Sequence, residues 1–243
     1  MGHGITEPGI LEPGITKPAT PPPALSIVIP ARNEAQHIVA SLQPLQGYRP
    51  QVEIILVDGG SSDNTAALAS PLCDRVLPSP PGRARQMNLG ASAARGDALL
   101  FLHADTQLPP GFAHRVQSSL TAGHRWGRFD VRLEPGSPLL RLIAWMMNQR
   151  SRLTGVCTGD QGIFVQRQLF AELGGYADLP LMEDIELSKR LRRHGRPACL
   201  QPALCTSSRR WQQHGTLRTV VLMWWLRALY WFGVSPHRLA KWY

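Results

Sequence analysis

Three short apolar runs, LSIVIP (25–30), VEIILV (52–57) and DALLFLH (97–103), are each bounded by turn-forming residues. That is the mark of strands buried on both faces. A weaker run at 74–77 predicts a further short strand. Between the runs, residues 33–46, the stretch after Asp63-Asn64, Gly82–Ala94 and residues 110–122 carry helical spacing, with Asn33 placed as an N-cap. Strand and helix alternate, which predicts an α/β fold with a mostly parallel central sheet flanked by helices. The pattern then changes. FDVRLE (129–134) alternates like an antiparallel strand, 138–152 reads as an amphipathic helix and 162–166 as a strand. Residues 183–194 form a helix with Glu183-Asp184 at its start and Lys189, Arg190, Arg192, Arg193 and His194 at its end, matching the helix dipole, before Gly195 stops it. The second half thus adds a smaller antiparallel portion.

The two ends differ from the middle. Residues 4–18 are the pentads GITEP, GILEP and GITKP, followed by ATPPPA. A proline every fifth residue forbids helix and paired strand, so 1–24 is expected to be a disordered tail. MGHGIT also fits an N-myristoylation pattern, which the repeat generates by itself. No basic segment leads into an apolar run there, so no signal peptide is expected. Residues 217–234 are apolar and aromatic but contain Arg218 and Arg227. An arginine at mid-bilayer costs about 2.5–3.5 kcal/mol, and the uncharged stretch Thr219–Leu226 falls far short of the ~20 residues a span needs. The segment is expected to be an amphipathic helix. It either packs on the domain or in a homodimer seam, or lies on a membrane through Trp224, Trp225, Tyr230 and Trp231. The division is then a tail (1–24), an α/β domain (25–214) and a C-terminal helix (215–243).

Composition sharpens this. With 43% hydrophobic and 18% charged residues, the 243-residue chain is globular. Its net charge of +9 is lopsided: residues 1–108 hold 7 basic and 9 acidic side chains, net −2, and the remainder 19 and 8, net +11. Uniform coating of nucleic acid is disfavoured, and an anionic partner is needed by the second half alone. The four cysteines show no CxxC spacing, which argues against a zinc site or disulfide framework.

GxGxxG, GxxxxGK[ST] and GxSxG are all absent. What remains is carboxylates just past strand ends, where open α/β sheets bind ligands. Asp58 suits a base N–H or a ribose hydroxyl, or simply an Asx turn in DGGSSDN. Asp105 suits Mg²⁺ or Mn²⁺, or caps the following turn. Asp184 stands at a helix start, where capping is again the plain alternative. Gly82-Arg83 opens a helix in a way that suits a diphosphate.

In order, IVIPARNE (27–34), VDGGSSDNT (57–65), GRARQMNLGA (82–91), FLHADT (101–106) and LMEDIEL (181–187) resemble the signatures of family 2 glycosyltransferases with a GT-A fold. GDQGIF (159–164) and SSRRW (207–211) point to a small bacterial subgroup. The resemblance implies a nucleotide-diphosphate-sugar donor, with Pro30, Arg32 and Glu34 lining base and ribose, Asp58 on the base, Arg83 near the diphosphate and Asp105 as the last acid of the metal motif. It implies Asp184 as general base of an inverting transfer. Asp160, Gln161, Glu183, Arg210 and Trp211 then fall on the acceptor or diphosphate side. His103 replaces the first acid of the metal motif, so Mn²⁺ or Mg²⁺ would rest on Asp105 with His103. The apolar C-terminus implies a hydrophobic acceptor, such as a polyprenyl phosphate or a carotenoid-like molecule, and a cytoplasmic enzyme peripheral to the inner membrane face. The alternatives are a sugar nucleotidyltransferase, against which the glycine-free PARNEAQH speaks, and an inactive donor-binding accessory protein.

Overall fold

A computed structural model describes Met1, residues 23–209, Trp211 and residues 215–243. Most of the expected tail, and Arg210, lie outside the described residues. Eight strands form one sheet: β1 (Leu25–Ala31), β2 (Val52–Asp58), β3 (Arg75–Pro78), β4 (Ala98–Phe101), β5 (Thr106–Gln107), β6 (Trp126–Glu134), β7 (Phe164–Gln166) and β8 (Ala198–Ser207). Their order is β3-β2-β1-β4-β7-β6-β8-β5. The first four are parallel, and β7 turns antiparallel between β4 and β6.

The apolar runs are continuous because both faces are covered. Ile27, Ile29, Ile54 and Leu56 point into one core with Ile38 and Leu42. Val28, Ile55, Val57 and Leu99 point into another with Met87. The helix α3 (Arg83–Ala93) covers the second face so closely that a Cβ on Gly90 would lie 2.3 Å from Val28 Cγ1. The other helices are α1 (Ile38–Leu42), α2 (Thr65–Ala69), α4 (Phe112–Thr121), α5 (Pro138–Thr154), α6 (Arg167–Glu172), α7 (Glu183–Leu191), α8 (Thr216–Trp231) and α9 (Pro236–Leu239).

Four expectations change. The helix anticipated over 33–46 begins only at Ile38 and passes into a 3₁₀ turn, Gln43–Tyr48. Asn33 does not cap it. Its backbone is left-handed (φ 55°), and its side chain accepts from the Ser62 N–H at 2.8 Å while its own N–H donates to Ser61 Oγ at 2.9 Å. The local cap signal is overruled by a clasp to the loop after β2. Second, β6 is antiparallel only to β7, and its long partner is the parallel strand β8. Third, β8 runs over Ala198–Ser207, where the sequence pattern predicts no element. The pairing jumps from Phe129↔Leu200 to Val131↔Leu204, so Pro202 sits in a bulge, where a missing N–H breaks no ladder bond. Fourth, α8 is not amphipathic. Thr219 and Leu226 are buried on one face, and Leu217, Val221, Trp224, Trp225 and Trp231 are exposed on the opposite one, so both faces are apolar. Its buried side packs with Val156, Met182, Ile185 and Leu239. Among the described residues no helix is long and apolar enough to cross a membrane.

Beside the bulge, Arg128 is fully buried and bonds to Asp130, which also takes Arg152 and the Gln201 amide (2.8 Å). Arg128 further donates to the Asn148 carbonyl at 3.1 Å, fixing β6 to α5. Burial alone would raise the Asp130 pKa, but hydrogen bonds from Gln201, Arg128 and Arg152 outweigh it and hold the carboxyl below its ordinary range. A lowered folded-state pKa stabilises the fold above the ordinary Asp value of about 3.9, and that stability is lost as pH falls through the lowered one. Asp130→Asn leaves a buried guanidinium uncompensated. It is expected to cost about 3–5 kcal/mol in urea melts at pH 7, and less as the pH is taken down the acid limb.

Candidate active site

The carboxyl ends of β1, β2 and β4 open on one side of the sheet, since the three strands run parallel. A cavity of about 450 Å³ lies there. Its walls come from the end of β1 (Pro30, Ala31, Arg32, Glu34), from α3 (Arg83, Gln86), from the turn after β4 (His103, Ala104, Asp105) and from the turn before β7 (Gly159, Asp160). Asp184, Thr206, Ser207, Arg209, Trp211 and the C-terminal residues Thr219, Met223 and Tyr243 complete it.

Two clasps hold the strand ends. The loop after β1 gives its N–H groups to the loop after β2: Asn33 to Ser61, Glu34 to Thr65 Oγ1 (2.8 Å) and Ala35 to Asp63 (3.1 Å). Buried Gln86 donates to the carbonyls of Ala31 (3.0 Å) and Val57 (2.8 Å), pinning α3 to both strands. Asp58 is the exception among the expected donor-side residues. It is not in the cavity wall, and its carboxylate accepts from the Ser61 N–H (3.1 Å) and hydroxyl, an Asx turn.

Charges alternate around the cavity. Half-buried Glu34 meets Arg209, with Nη2 3.3 Å from both oxygens. Burial raises its pKa and the Asp105 charge adds to that, against the pull of Arg209. Arg83 reaches Glu183 at 3.4 Å. Glu183 is buried behind the wall, and burial, then the neighbouring Asp184 charge, push its pKa up against Arg83. Asp184 stands in the first turn of α7, where its Oδ2 accepts from the Gly159 N–H at 2.8 Å. His103 lies over the same glycine: a Cβ on Gly159 would sit 2.7 Å from His103 Nε2 and 3.9 Å from Asp184 Oδ2. Asp160, one residue on, is pushed up in pKa by burial. Gln161 is turned inward instead, accepting from the Thr158 N–H (3.2 Å) and donating to Ser151 Oγ (3.1 Å).

The structure therefore gathers Pro30, Arg32, Glu34, Arg83, His103, Asp105, Asp160, Asp184 and Trp211 around one cavity. Asp58, Gln161 and Glu183 stand behind it. Sequence reasoning missed Gln86 and Arg209. The SSRRW segment contains the second; Arg210, named with Trp211 from the same segment, lies outside the described residues. Among the described residues no three His, Cys, Asp or Glu side chains form a metal cage. A lone Asp105 on the cavity wall still suits Mg²⁺ or Mn²⁺, which take one or two protein carboxylates and draw remaining ligands from water and substrate phosphates.

Comparison with known proteins points the same way. The model of the family described as Glycosyl transferase family 2 matches residues 26–164, more than half of the chain. A probable glycosyltransferase of Bacillus subtilis, YdaM, is 27% identical over 90% of the chain and 57% of its own length. An undecaprenyl-phosphate 4-deoxy-4-formamido-L-arabinose transferase of Serratia proteamaculans is 29% identical over 58% of the chain and 48% of its own length. The chain thus spans about half the length of these curated relatives. Among solved structures, Staphylococcus aureus TarS 1–349 in complex with UDP superposes with a TM-score of 0.62 at 16% identity, over 76% of this chain and 60% of that one. The mannosyltransferase PcManGT of Pyrobaculum calidifontis, in complex with GDP-Man and Mn²⁺, gives 0.59 at 19% identity, over 77% and 57%. At such identities the likeness shows the fold.

Replacing Gln86 by Leu removes the donor that ties α3 to the strand ends. The loss is expected to be about 1–3 kcal/mol in a urea melt.

Proposed function

We propose that this chain, which belongs to glycosyl transferase family 2, moves a sugar from a nucleotide-diphosphate sugar to an acceptor oxygen with inversion at the anomeric carbon. The observation that carries this is the placement of Asp184. Its carboxylate is held by a backbone N–H in the wall of the cavity that the end of β1 and the turn after β4 also line.

The nucleoside lies along Pro30–Glu34 and the diphosphate between Arg83 and Asp105. Asp105 with His103 would hold a divalent cation, which supplies positive charge to the diphosphate leaving group. Arg83 adds a guanidinium on the other side. Asp184 takes the proton from an acceptor hydroxyl. That oxygen forms the new bond to the anomeric carbon as the bond from that carbon to the diphosphate oxygen breaks, and the electron pair leaves with the nucleoside diphosphate. Gly159 keeps Asp184 from turning away, so the base needs no rearrangement. The similarity to an undecaprenyl-phosphate 4-deoxy-4-formamido-L-arabinose transferase supports an acceptor of similar class. The exposed Leu142, Trp145, Trp224, Trp225 and Trp231, beside the exposed Arg141, Arg218 and Lys241, support peripheral contact with an anionic membrane.

Asp184→Asn is expected to lower transfer about 10²–10⁴-fold while the Kd for the nucleotide stays within threefold. Near-normal turnover in that variant would remove Asp184 from the base role. In flotation assays the protein is expected to rise with phosphatidylglycerol-containing vesicles and not with neutral ones. Recovery in the pellet fraction with both rejects the membrane contact.

A further inference from the structure

Two helices carry the same four-position pattern. On α5 it is Ile143, Met146, Met147 and Arg150, and on α8 it is Val220, Met223, Trp224 and Arg227. Each is three apolar residues and an arginine at i, i+3, i+4 and i+7, a spacing that lays them on one stripe of a helix. The two stripes line a second cavity, of about 310 Å³. Asp160, Trp211 and Met223 belong to the walls of both cavities, so this one adjoins the first.

The polar end of this cavity is unusual. The Nε atoms of Arg150 and Arg227 and the Oδ1 of Asp160 are buried without a hydrogen-bond partner among the described residues. Arg150 has one long bond, 3.5 Å from Nη2 to Thr158 Oγ1. Neither arginine forms an ion pair among the described residues. Burial, reinforced by the Arg150 charge, pulls the Arg227 pKa down to about 10 against Asp184 and Asp160. Two guanidinium Nε groups buried without a partner at the end of an apolar cavity are costly. An anion placed between them removes that cost, and the methionines and Trp224 accept an apolar body.

We infer that this cavity seats the acceptor, and that the acceptor is an amphiphile with an anionic head on Arg150 and Arg227 and an apolar chain or ring along the two stripes. The word acceptor rests on the glycosyl-transfer reading; the amphiphile site itself does not. The head lies at the wall shared with the donor cavity, which is where a nucleophile must be delivered.

Calorimetric titration of the full chain with decyl phosphate, decanol and inorganic phosphate tests it. Decyl phosphate, below its micelle concentration, is expected to bind at least tenfold more tightly than either of the others. Arg227→Met and Arg150→Met are each expected to lose at least tenfold for decyl phosphate while UDP and GDP bind as before. Decanoate run beside decyl phosphate distinguishes a carboxylate head from a phosphate head, and a tenfold loss in Arg227→Met with either supports the site. Equal affinity for decanol and decyl phosphate, or unchanged affinity in folded variants, overturns the inference. Should a variant fail to fold, the wild-type ratio of decyl phosphate to decanol decides alone. Nucleotide binding without amphiphile binding sinks this inference only. Amphiphile binding without any nucleotide binding sinks the glycosyl-transfer reading and leaves the site.

Discussion

The hydrogen bond from the Gly159 N–H to Asp184 joins two parts of the molecule that the Cys157–Ser188 pair also ties together. Gly159 belongs to the turn that leads from α5 into β7. Asp184 opens α7. Without the bond, the carboxylate would be one more charged group in a first helical turn, free to face solvent. With it, the carboxylate is held on the wall of a cavity whose opposite side is made by β1 and α3. His103 rests on the same glycine, so the turn after β4 is placed by that contact as well.

Holding Asp184 there has a cost, visible two residues earlier. Met182 has a left-handed backbone (φ 68°) and is buried. For a residue with a Cβ such a conformation is disfavoured by roughly 1–2 kcal/mol. Burial of its side chain against Leu226 and Leu239 offsets that. Lys189 over the rings of Tyr230 (4.5 Å) and Trp231 (5.0 Å) adds a second link between α7 and α8. The C-terminal helix is thereby part of what positions the carboxylate, and not an appendage to a finished domain. Asn33, the other non-glycine residue with positive φ among the described residues, also borders the site. In both places long-range contacts impose a conformation the local sequence does not choose.

That is also where the sequence was hardest to read. The strands β1, β2 and β4 were legible because burial on both faces leaves an uninterrupted apolar run. Asn33 gave a helix-cap signal that is chemically correct for the residue, yet its acceptor serves Ser62, 29 positions away. The segment 198–207 carries no clear strand period, and β8 forms there with a bulge that accommodates Pro202. The carboxylates past the strand ends announced a site, but not that Asp58 would turn into its own loop. Arg227 registered as an obstacle to membrane insertion. Its place in the wall of a cavity needs Arg150 of α5, 77 positions away in the chain, and periodicity within one helix says nothing about which other helix faces it.

The excess of arginine in the second half resolves along the same line. Arg128 is spent inside, on Asp130 and the join between β6 and α5. Arg190 closes onto Glu186 and two carbonyls. Arg209 neutralises Glu34. Among the described residues Arg150 and Arg227 have no such partner, and both lie near Asp160. Asp160 and Asp184 pull on Arg227 through space and Arg150 pushes against it, so the charge balance between the two cavities is kept by groups that do not touch, which is why no pairwise pattern in the sequence announces it.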